Sequence, residues 1–437
     1  MNFTHVKKKI IKVTQKGLFK DASWMLIARL VNVVVQAAYF VILARTLGAE
    51  NYGSFVGVTS LASLLFPFIG LGVDNILVKE VSLNRKVFSS YWGNTLLILI
   101  VNSILLISIL VLIAPLIFPD NVSSLTIALL LVADLFGLGL LEASNRAFRA
   151  VDLVQKTAQL VVLNTAGKLI AVLSLVTFFK NINYQSALGI NLWAFLYFFS
   201  SIVISSCAFL AVSKIAGKPT FNLSRIKSDI NQGIYFSIGT SANNINNNID
   251  KTMLASLATL EATGIYGSAY RFINIGGVPI LALFNATYPR FFQEGARGIR
   301  NCFSFAKKLL PVLLGYGIVS FTAYQVFSPL IPKILGAEYQ DAISTLRWLA
   351  ILPMMTALQW LAADTLTGSG YQKIRSTVQI VAAILNVLLN VWLIPLYGLH
   401  GAIWATLTSD GIRLICLWII LFVLYRSASN SSVANDG

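Results

Sequence analysis

The sequence predicts an all-α integral membrane protein with about twelve transmembrane helices in two six-helix lobes. Hydrophobic residues make up 57% of the 437 residues and charged residues only 11%, which is too little polar surface to cover a soluble domain. Apolar runs of about 18 to 25 residues, the length that crosses a bilayer core, recur along the whole chain. A short segment that occurs twice divides these runs into two sets of six.

The predicted spans follow one another with short connections, and long uninterrupted runs are not typical of a β-barrel. They lie at 24–44, 54–74, 92–114, 122–142, 158–179, 189–212, 233–255, 265–288, 309–331, 344–366, 374–397 and 400–425. The predicted organisation is a basic cytoplasmic segment at 1–23, an N-lobe at 24–212, a cytoplasmic linker at 213–232, a C-lobe at 233–425 and a cytoplasmic tail at 426–437.

The net charge of +16 would suggest nucleic-acid binding in a soluble protein, but its distribution indicates orientation instead. Lys and Arg are concentrated in the N-terminal segment and in every second loop after it. By the positive-inside rule this pattern predicts that both termini are cytoplasmic. We therefore expect a multi-pass protein of the bacterial inner (plasma) membrane that contacts lipids and binds no nucleic acid.

The repeated segment joins the first and second span of each half. Residues 43–54 and 257–268 both contain Leu-Ala near their start and end in Tyr-Gly-Ser. Because six is an even number, both halves begin on the same side of the membrane. The repeat is therefore predicted to be parallel, with its axis along the membrane normal, and carriers built in this way place the substrate between two rocking lobes.

The seventh predicted span is unusually polar, with five asparagines between positions 243 and 248. At about 100° per residue, Asn243 and Asn247 share a face, and Ile238, Ile245 and Ile249 form a narrow apolar face opposite them. This pattern predicts a helix that lines a hydrated cavity. The alternative is that the amides bind neighbouring helices.

Cations and amides also occur at depth in other spans, where an unpaired charge is costly. The predicted cavity-lining, substrate-binding residues are Arg29, Asn32 and Gln36 in the first span, Lys168 in the fifth, Asn243 and Asn247 in the seventh, Arg271 and Asn274 in the eighth and Arg413 in the twelfth. Structural pairing or snorkelling is the alternative for each cation.

Three acidic residues within the spans, Asp134, Asp250 and Asp410, are candidates for ion coupling or ion pairing. Asp410 and Arg413 lie three residues apart, which predicts a pair on one helix. Arg29, Arg271 and Lys168 have no acidic residue at helical spacing, so we predict that they bind an anion. Asp134 is predicted either to carry a proton or sodium ion or to partner a nearby cation.

Several classes of function are not expected. There is no Gly-x-x-x-x-Gly-Lys-Ser/Thr loop for ATP, and His5 and His400 are the only histidines, so neither a metal nor another cofactor is predicted. The predicted outer loops are short, whereas an O-antigen polymerase or ligase would need a large one. We expect a secondary transporter without a catalytic residue, driven by protons, sodium or the gradient of the substrate.

The connecting segments resemble those of a known family. They are Ala44 to Gly53, Gly70 to Asp74 followed by Val78-Lys79-Glu80, Ile249-Asp250-Lys251, Leu335 to Tyr339, and Leu393-Ile394-Pro395-Leu396-Tyr397-Gly398 with Gly401-Ala402 and Ala405-Thr406. Because it contains these segments in this order, the chain resembles the polysaccharide-biosynthesis branch of the multidrug/oligosaccharidyl-lipid/polysaccharide (MOP) exporter superfamily. The members of that branch that it resembles are the Wzx-type O-antigen flippases.

This resemblance implies a V-shaped, two-lobed fold like that of the MATE transporters. It also implies export of an undecaprenyl-pyrophosphate-linked oligosaccharide through a cationic cavity, for O-antigen or exopolysaccharide assembly. A polysaccharide polymerase and a chain-length regulator are the expected protein partners. The alternatives are a multidrug or organic cation antiporter of the same superfamily, which tends to use carboxylates, and a lipid II flippase, which usually has two further C-terminal helices.

Overall fold

The protein is built from long α-helices. The computed structural model describes the backbone of residues 3–119, 122–181 and 186–433, and the side chains of residues 32–119, 122–178, 189–238 and 240–428. The helices are α1 (Phe3–Leu65), α2 (Val73–Leu83), α3 (Phe88–Ile117), α4 (Ser124–Leu131), α5 (Gly139–Ala150), α6 (Val154–Asn181), α7 (Ser186–Ile215), α8 (Leu223–Leu257), α9 (Leu260–Gly295), α10 (Ile299–Phe327), α11 (Ile331–Leu335), α12 (Ala342–Leu349), α13 (Leu352–Gly368), α14 (Gln372–Tyr397) and α15 (Leu399–Val433). The described ranges contain no β-strand, which confirms the predicted all-α membrane fold.

Ten helical stretches in the described residues are long and apolar enough to cross a membrane. This number is lower than the predicted twelve for two physical reasons. The first stretch, Asn32–Phe68, contains two helices, because α1 breaks at Gly48, where φ is 74° and ψ is 174°. The polar helix α8 is long enough to span but is not among the apolar stretches. With these two helices added, the predicted count is recovered.

The chain forms two compact units, and each consists of two separate stretches of the sequence. The first unit contains residues 1–46 and 65–241, and the second contains residues 47–64 and 242–437. Residues 47–64, predicted within the N-lobe, therefore belong to the second unit, and α8 contributes to both units. The lobe boundaries predicted from the sequence differ from the observed units at these two places.

Within the second unit, the two copies of the repeated segment contact each other. Each copy lies at a helix start, after the break at Gly48 in one case and at the beginning of α9 in the other. A Cβ atom at Gly53 would overlap the carbonyl oxygen of Leu260, and one at Gly264 would overlap the carbonyl oxygen of Ala49. The glycines therefore allow backbone contact between residues 49–65 and α9.

The helix start after Gly48 is capped by an acidic side chain. Glu338 Oε2 accepts a hydrogen bond from the backbone N–H of Ala49 at 2.9 Å. An anionic acceptor at this position satisfies an N–H that has no partner inside the helix and complements the helix dipole. The Leu-Gly-Ala-Glu-Tyr segment at 335–339 thus has a structural role, because it caps a helix start within the second unit.

The first unit has a comparable contact between the turn before α2 and α8. Gly72 has a φ of 72°, and a Cβ there would overlap the carbonyl oxygen of Gly233. Leu71, with a φ of 46°, is one of the two non-glycine residues of positive φ in the described chain. Ser237 of α8 donates a hydrogen bond to the carbonyl of Pro67 at 2.6 Å. These contacts hold the first part of α8 against the first unit.

Candidate functional site

Four polar side chains on α8 and α9 are exposed in the second unit. Asn243 and Asn247 lie one turn apart on α8, and Arg271 and Asn274 lie one turn apart on α9. Hydrocarbon cannot solvate a guanidinium group and three amides, so these side chains need water or a polar ligand beside them. We call these four residues the Asn/Arg surface. The hydroxyl of Tyr52 is hydrogen-bonded to Arg271.

A buried polar layer joins α8 to α9 behind this surface. Asp250, 1% exposed, accepts a hydrogen bond from the hydroxyl of Tyr266 at 2.6 Å. The Tyr266 hydroxyl is also 2.9 Å from Thr406 Oγ1. Lys251 Nζ lies 3.4 Å from Asp250 Oδ1 and 4.1 Å from the ring centroid of Tyr270. The layer therefore contains a charge pair surrounded by hydroxyl groups and aromatic faces.

A second charge pair lies in the same unit, on α15. Arg413 Nη2 is 2.9 Å from Asp410 Oδ1, as their spacing predicts, and also donates a hydrogen bond to Gln359. The Asn246 side chain lies near Asp410 and favours the charged form of its carboxylate. The Arg413 side chain is only 14% exposed, which makes it a weaker candidate for direct substrate contact than the exposed Arg271.

The first unit contains a smaller polar network. Lys168 Nζ is 3.1 Å from the hydroxyl of Tyr197, which donates to Asp134 Oδ1 at 2.6 Å. Asp134 lies in a π-helical segment, Val132–Leu138, a feature that occurs frequently at functional sites. The sequence predicts that Lys168 binds an anion, but the structure connects it through Tyr197 to an acidic residue. That carboxylate lies on another helix, at no fixed sequence spacing.

The residues predicted in the first span are only partly within the described side chains. The side chain of Arg29 lies outside them. Asn32 accepts a hydrogen bond from Thr165 Oγ1, and Gln36 is exposed. The bond to Thr165 corresponds to the alternative interpretation of such amides, in which they connect neighbouring helices.

A cavity of about 100 Å³ lies in the first unit. Among the residues lining it are Asp74, Glu142 and Arg146. Arg146 Nε is 2.8 Å from Asp74 and 3.3 Å from Glu142, and the same side chain donates to Asn75. Because two carboxylates surround this guanidinium, the cavity does not present a cationic surface.

Three residues of the second unit were not among the predicted site residues: Lys251, Tyr266 and Gln359. Lys251 is part of the Ile-Asp-Lys segment, so its motif was visible but its contacts were not. The contacts depend on how α8, α9, α13 and α15 pack. In the described part of the chain, no group of three or more His, Cys, Asp or Glu side chains could hold a metal ion.

Comparisons with known proteins agree with this architecture. The family described as "Polysaccharide biosynthesis protein" matches residues 18–294, a range that includes the Asn/Arg surface. An uncharacterized membrane protein of Methanocaldococcus jannaschii, MJ1375, is 24% identical over 432 residues, covering 93% of this chain and 98% of that protein.

Similar solved structures are transporters of the MOP superfamily. An inward-facing multidrug resistance MATE family transporter has a TM-score of 0.71 at 14% identity, covering 92% of this chain and 99% of that one. An outward-facing MATE family transporter has a TM-score of 0.60 at 16% identity, covering 94% and 96%. A MOP superfamily transporter from Pyrococcus furiosus, whose binding pocket is described as having reversed polarity, has a TM-score of 0.61 at 15% identity, covering 93% and 96%. At these identities the likeness shows the fold.

Proposed function

The chain belongs to the polysaccharide biosynthesis protein family, and from that membership we propose that it is a flippase for lipid-linked oligosaccharides. The proposed substrate is an undecaprenyl-pyrophosphate-linked glycan unit. The protein would move it from the inner to the outer leaflet, for the assembly of O-antigen or exopolysaccharide. Alternating access of two lobes around a polar cavity is the proposed mechanism.

The observation that carries this proposal is the Asn/Arg surface. A pyrophosphate group is well matched by a guanidinium, which forms directional, charge-assisted hydrogen bonds with phosphate oxygens. Sugar hydroxyls both donate and accept hydrogen bonds, as amide side chains do. An exposed arginine among exposed asparagines therefore suits a ligand that has an anionic group next to a glycan, while the polyprenyl chain remains in lipid.

We assign different roles to the predicted site residues. Arg271 engages the pyrophosphate or an acidic sugar, and Asn243, Asn247 and Asn274 contact the glycan. Arg29 and Asn32 have the corresponding roles in the first half, a proposal that rests on their positions in the sequence. Lys168 and Arg413, which already have partners in the protein, have supporting roles, each within its own unit.

The remaining expectations complete the proposal. The protein would act as a secondary transporter in the bacterial inner membrane without a cofactor or catalytic residue. Proton or sodium coupling would involve Asp134, Asp250 or Asp410. A polysaccharide polymerase and a chain-length regulator would receive the exported unit.

Reconstitution in proteoliposomes tests this function. The measured quantity is the rate at which an undecaprenyl-pyrophosphate-linked oligosaccharide on one leaflet becomes accessible to a membrane-impermeant glycosidase on the other. We expect wild-type protein to accelerate this exchange over protein-free vesicles, and Arg29→Ala/Arg271→Ala to remove most of the acceleration. Arg297→Ala, which changes an exposed arginine between α9 and α10, is the control and should behave as wild type.

Failure of the wild type to accelerate exchange, with folded protein and an imposed ion gradient, would contradict the flippase proposal. Efflux of an organic cation in the same vesicles would then favour the antiporter alternative. Full activity of the double alanine variant would preserve the flippase but contradict the roles given to the two arginines.

A further inference from the structure

Parts of five helices meet at one end of the second unit. α9 ends and α10 begins there, and the turn between α13 and α14 lies beside them, because a Cβ atom at Gly295 would overlap the carbonyl oxygen of Gly368. The last part of α15 joins the same end through the rings of Phe303 and Tyr425, whose centroids are 4.9 Å apart. We call this end, made of residues 288–308, 364–375 and 422–428, the basic end.

The basic end carries more positive charge than its own carboxylates can balance. Its two acidic residues are already paired, since Glu294 lies 3.7 Å from Arg297 and Asp364 lies 3.0 Å from Arg375. Six further cations of the basic end form no ion pair with any of the described side chains: Arg290, Arg300, Lys307, Lys308, Lys373 and Arg426. By the positive-inside rule, this excess predicts that the basic end faces the cytoplasm.

Two of these cations rest on neighbouring aromatic rings. Lys307 Nζ lies 4.7 Å from the ring centroid of Phe303 and 5.3 Å from that of Tyr425, so it bridges α10 and α15. The guanidinium carbon of Arg426 lies 4.6 Å from the ring centroid of Phe422, and this ring is stacked with that of Tyr425 at 6.5 Å between centroids. A ring face attracts a cation but does not cancel its net charge. The rings therefore hold both charges in place and leave them available to an anion.

An exposed apolar face leads along α15 to the same point. Its side chains recur at intervals of three or four residues and so share one side of the helix: Ile412, Ile415, Ile419 and Phe422. Arg426 continues this spacing at the end of the face. In a membrane protein such a face packs against acyl chains, and cations at its end lie at the level of the headgroups. The arrangement therefore matches both parts of a phospholipid, the anionic phosphate and the apolar chains.

We propose that Lys307 and Arg426 form a headgroup site for an anionic phospholipid of the surrounding membrane. The phosphate group accepts hydrogen bonds from the ammonium and guanidinium groups, and the acyl chains lie along the apolar face of α15. A zwitterionic phospholipid binds less tightly, because its own cation is repelled by the two cations of the site. The site shares no residue with the Asn/Arg surface, so the inference does not depend on the proposed function.

Lipid binding to the full-length protein in detergent, measured by native mass spectrometry, tests this proposal. The probes are phosphatidylglycerol and phosphatidylcholine with identical acyl chains. We expect wild type to bind the first phosphatidylglycerol molecule about tenfold more tightly than the first phosphatidylcholine, because each cation near the headgroups strengthens binding of an anionic lipid several-fold. Lys307→Gln/Arg426→Gln should lose most of this preference. Lys307→Arg/Arg426→Lys, which keeps both charges, should retain it.

A matched variant separates a defined site from the net charge of the basic end. Arg297→Gln/Lys373→Gln removes two exposed cations from the same end and leaves Lys307 and Arg426 on their rings. It changes the net charge by the same amount as Lys307→Gln/Arg426→Gln, and we expect it to keep the preference for phosphatidylglycerol. Because all four side chains are exposed, both variants should fold, and their unfolding midpoints check this.

Two results would overturn the proposal. One is that wild type binds phosphatidylglycerol no better than phosphatidylcholine. The other is an equal loss of preference in the two double glutamine variants, which would mean that lipid follows the net charge of the basic end and not a defined site. Neither result bears on the flippase proposal, which the exchange assay in proteoliposomes tests separately.

Discussion

The polar network around Asp134 in the first unit and the networks around Asp250 and Asp410 in the second hold their buried charges in different ways. In the first unit, Lys168 reaches Asp134 through the hydroxyl of Tyr197, with separations of 3.1 and 2.6 Å. In the second unit, the pairs Asp250–Lys251 and Asp410–Arg413 are in direct contact. The second unit also has exposed Arg271 with three exposed amides. Both units contain an aspartate that is hydrogen-bonded to a tyrosine hydroxyl, and the second unit also contains the Asn/Arg surface.

The difference teaches how one membrane protein can keep some charges for internal contacts and place others where we propose that they contact a ligand. A cation in direct contact with a carboxylate is largely neutralised, whereas the exposed side chain of Arg271 can reach water or a polar ligand. Among the described side chains, recognition of an anion is therefore expected to depend more on the second unit than on the first.

The largest expected effect concerns the direct ion pair in the second unit. Arg413→Met should lower the free energy of unfolding by about 3 to 5 kcal/mol, because it leaves Asp410 buried without its partner. Asp410→Asn/Arg413→Met should recover much of that loss. Denaturant unfolding in detergent, as a double-mutant cycle, measures the coupling.

The same cycle on Asp134 and Lys168 sharpens the comparison. A tyrosine hydroxyl separates these two groups, so we expect a smaller coupling energy than for Asp410 and Arg413. Equal coupling energies for the Asp134–Lys168 and Asp410–Arg413 pairs would contradict the distinction between them.

The next largest effect concerns the close backbone contacts of glycines within each unit. Gly53→Ala should destabilise the protein by about 1 to 3 kcal/mol, because the added methyl group overlaps backbone and the helices must separate. Gly72→Ala should lower the stability by more than the steric overlap alone would, because the positive φ at this position adds backbone strain. Gly277→Ala, at a helical position with nothing within 4 Å, is the control. Thermal unfolding midpoints of the three variants give the comparison, and equal midpoints for Gly53→Ala and Gly277→Ala would contradict the close contact.

The smallest effect is a pH dependence at the start of α8 in the first unit. Burial raises the pKa of Asp229 above its ordinary value of 3.8, although a hydrogen bond from Asn94 and the charge of Arg225 oppose the rise. The folded state therefore binds the proton more tightly than the unfolded state. Stability should decrease as pH rises from 3.8 through the raised pKa, and it should increase as pH falls through the same interval.

Asp229→Asn should remove this part of the pH dependence. Unfolding midpoints measured at a series of pH values for wild type and variant test the prediction. An unchanged slope in the variant would mean that other groups produce the pH dependence.

Much of the fold could be predicted from the sequence because bilayer thickness fixes the length of an apolar helix. The apolar runs, the repeat and the polar character of α8 all correspond to observed elements. The assignment of residues 47–64 to the second unit could not be predicted, because it depends on backbone contact at Gly53 and Gly264. Nothing in the local sequence indicates which helix a glycine will face.

The site was predictable where contacts lie within one helix. The spacing of Asp410 and Arg413 predicted their ion pair, and helical periodicity predicted that Asn243 and Asn247 share one face of a helix. The connection of Lys168 to Asp134 through Tyr197 crosses three helical segments and has no sequence spacing. Lys251 was missed as a site residue for the same reason, because its contact with Tyr270 depends on the packing of α8 against α9.

The central claim is that the second unit recognises the anionic group of the substrate. The most direct measurement compares Arg271→Gln with Lys168→Met in the proteoliposome exchange assay, at equal amounts of folded protein. We expect Arg271→Gln to lower the initial rate at least about tenfold, as for the loss of a charged hydrogen bond, and Lys168→Met to lower it only a few-fold. Equal effects, or a larger effect of Lys168→Met, would contradict the account.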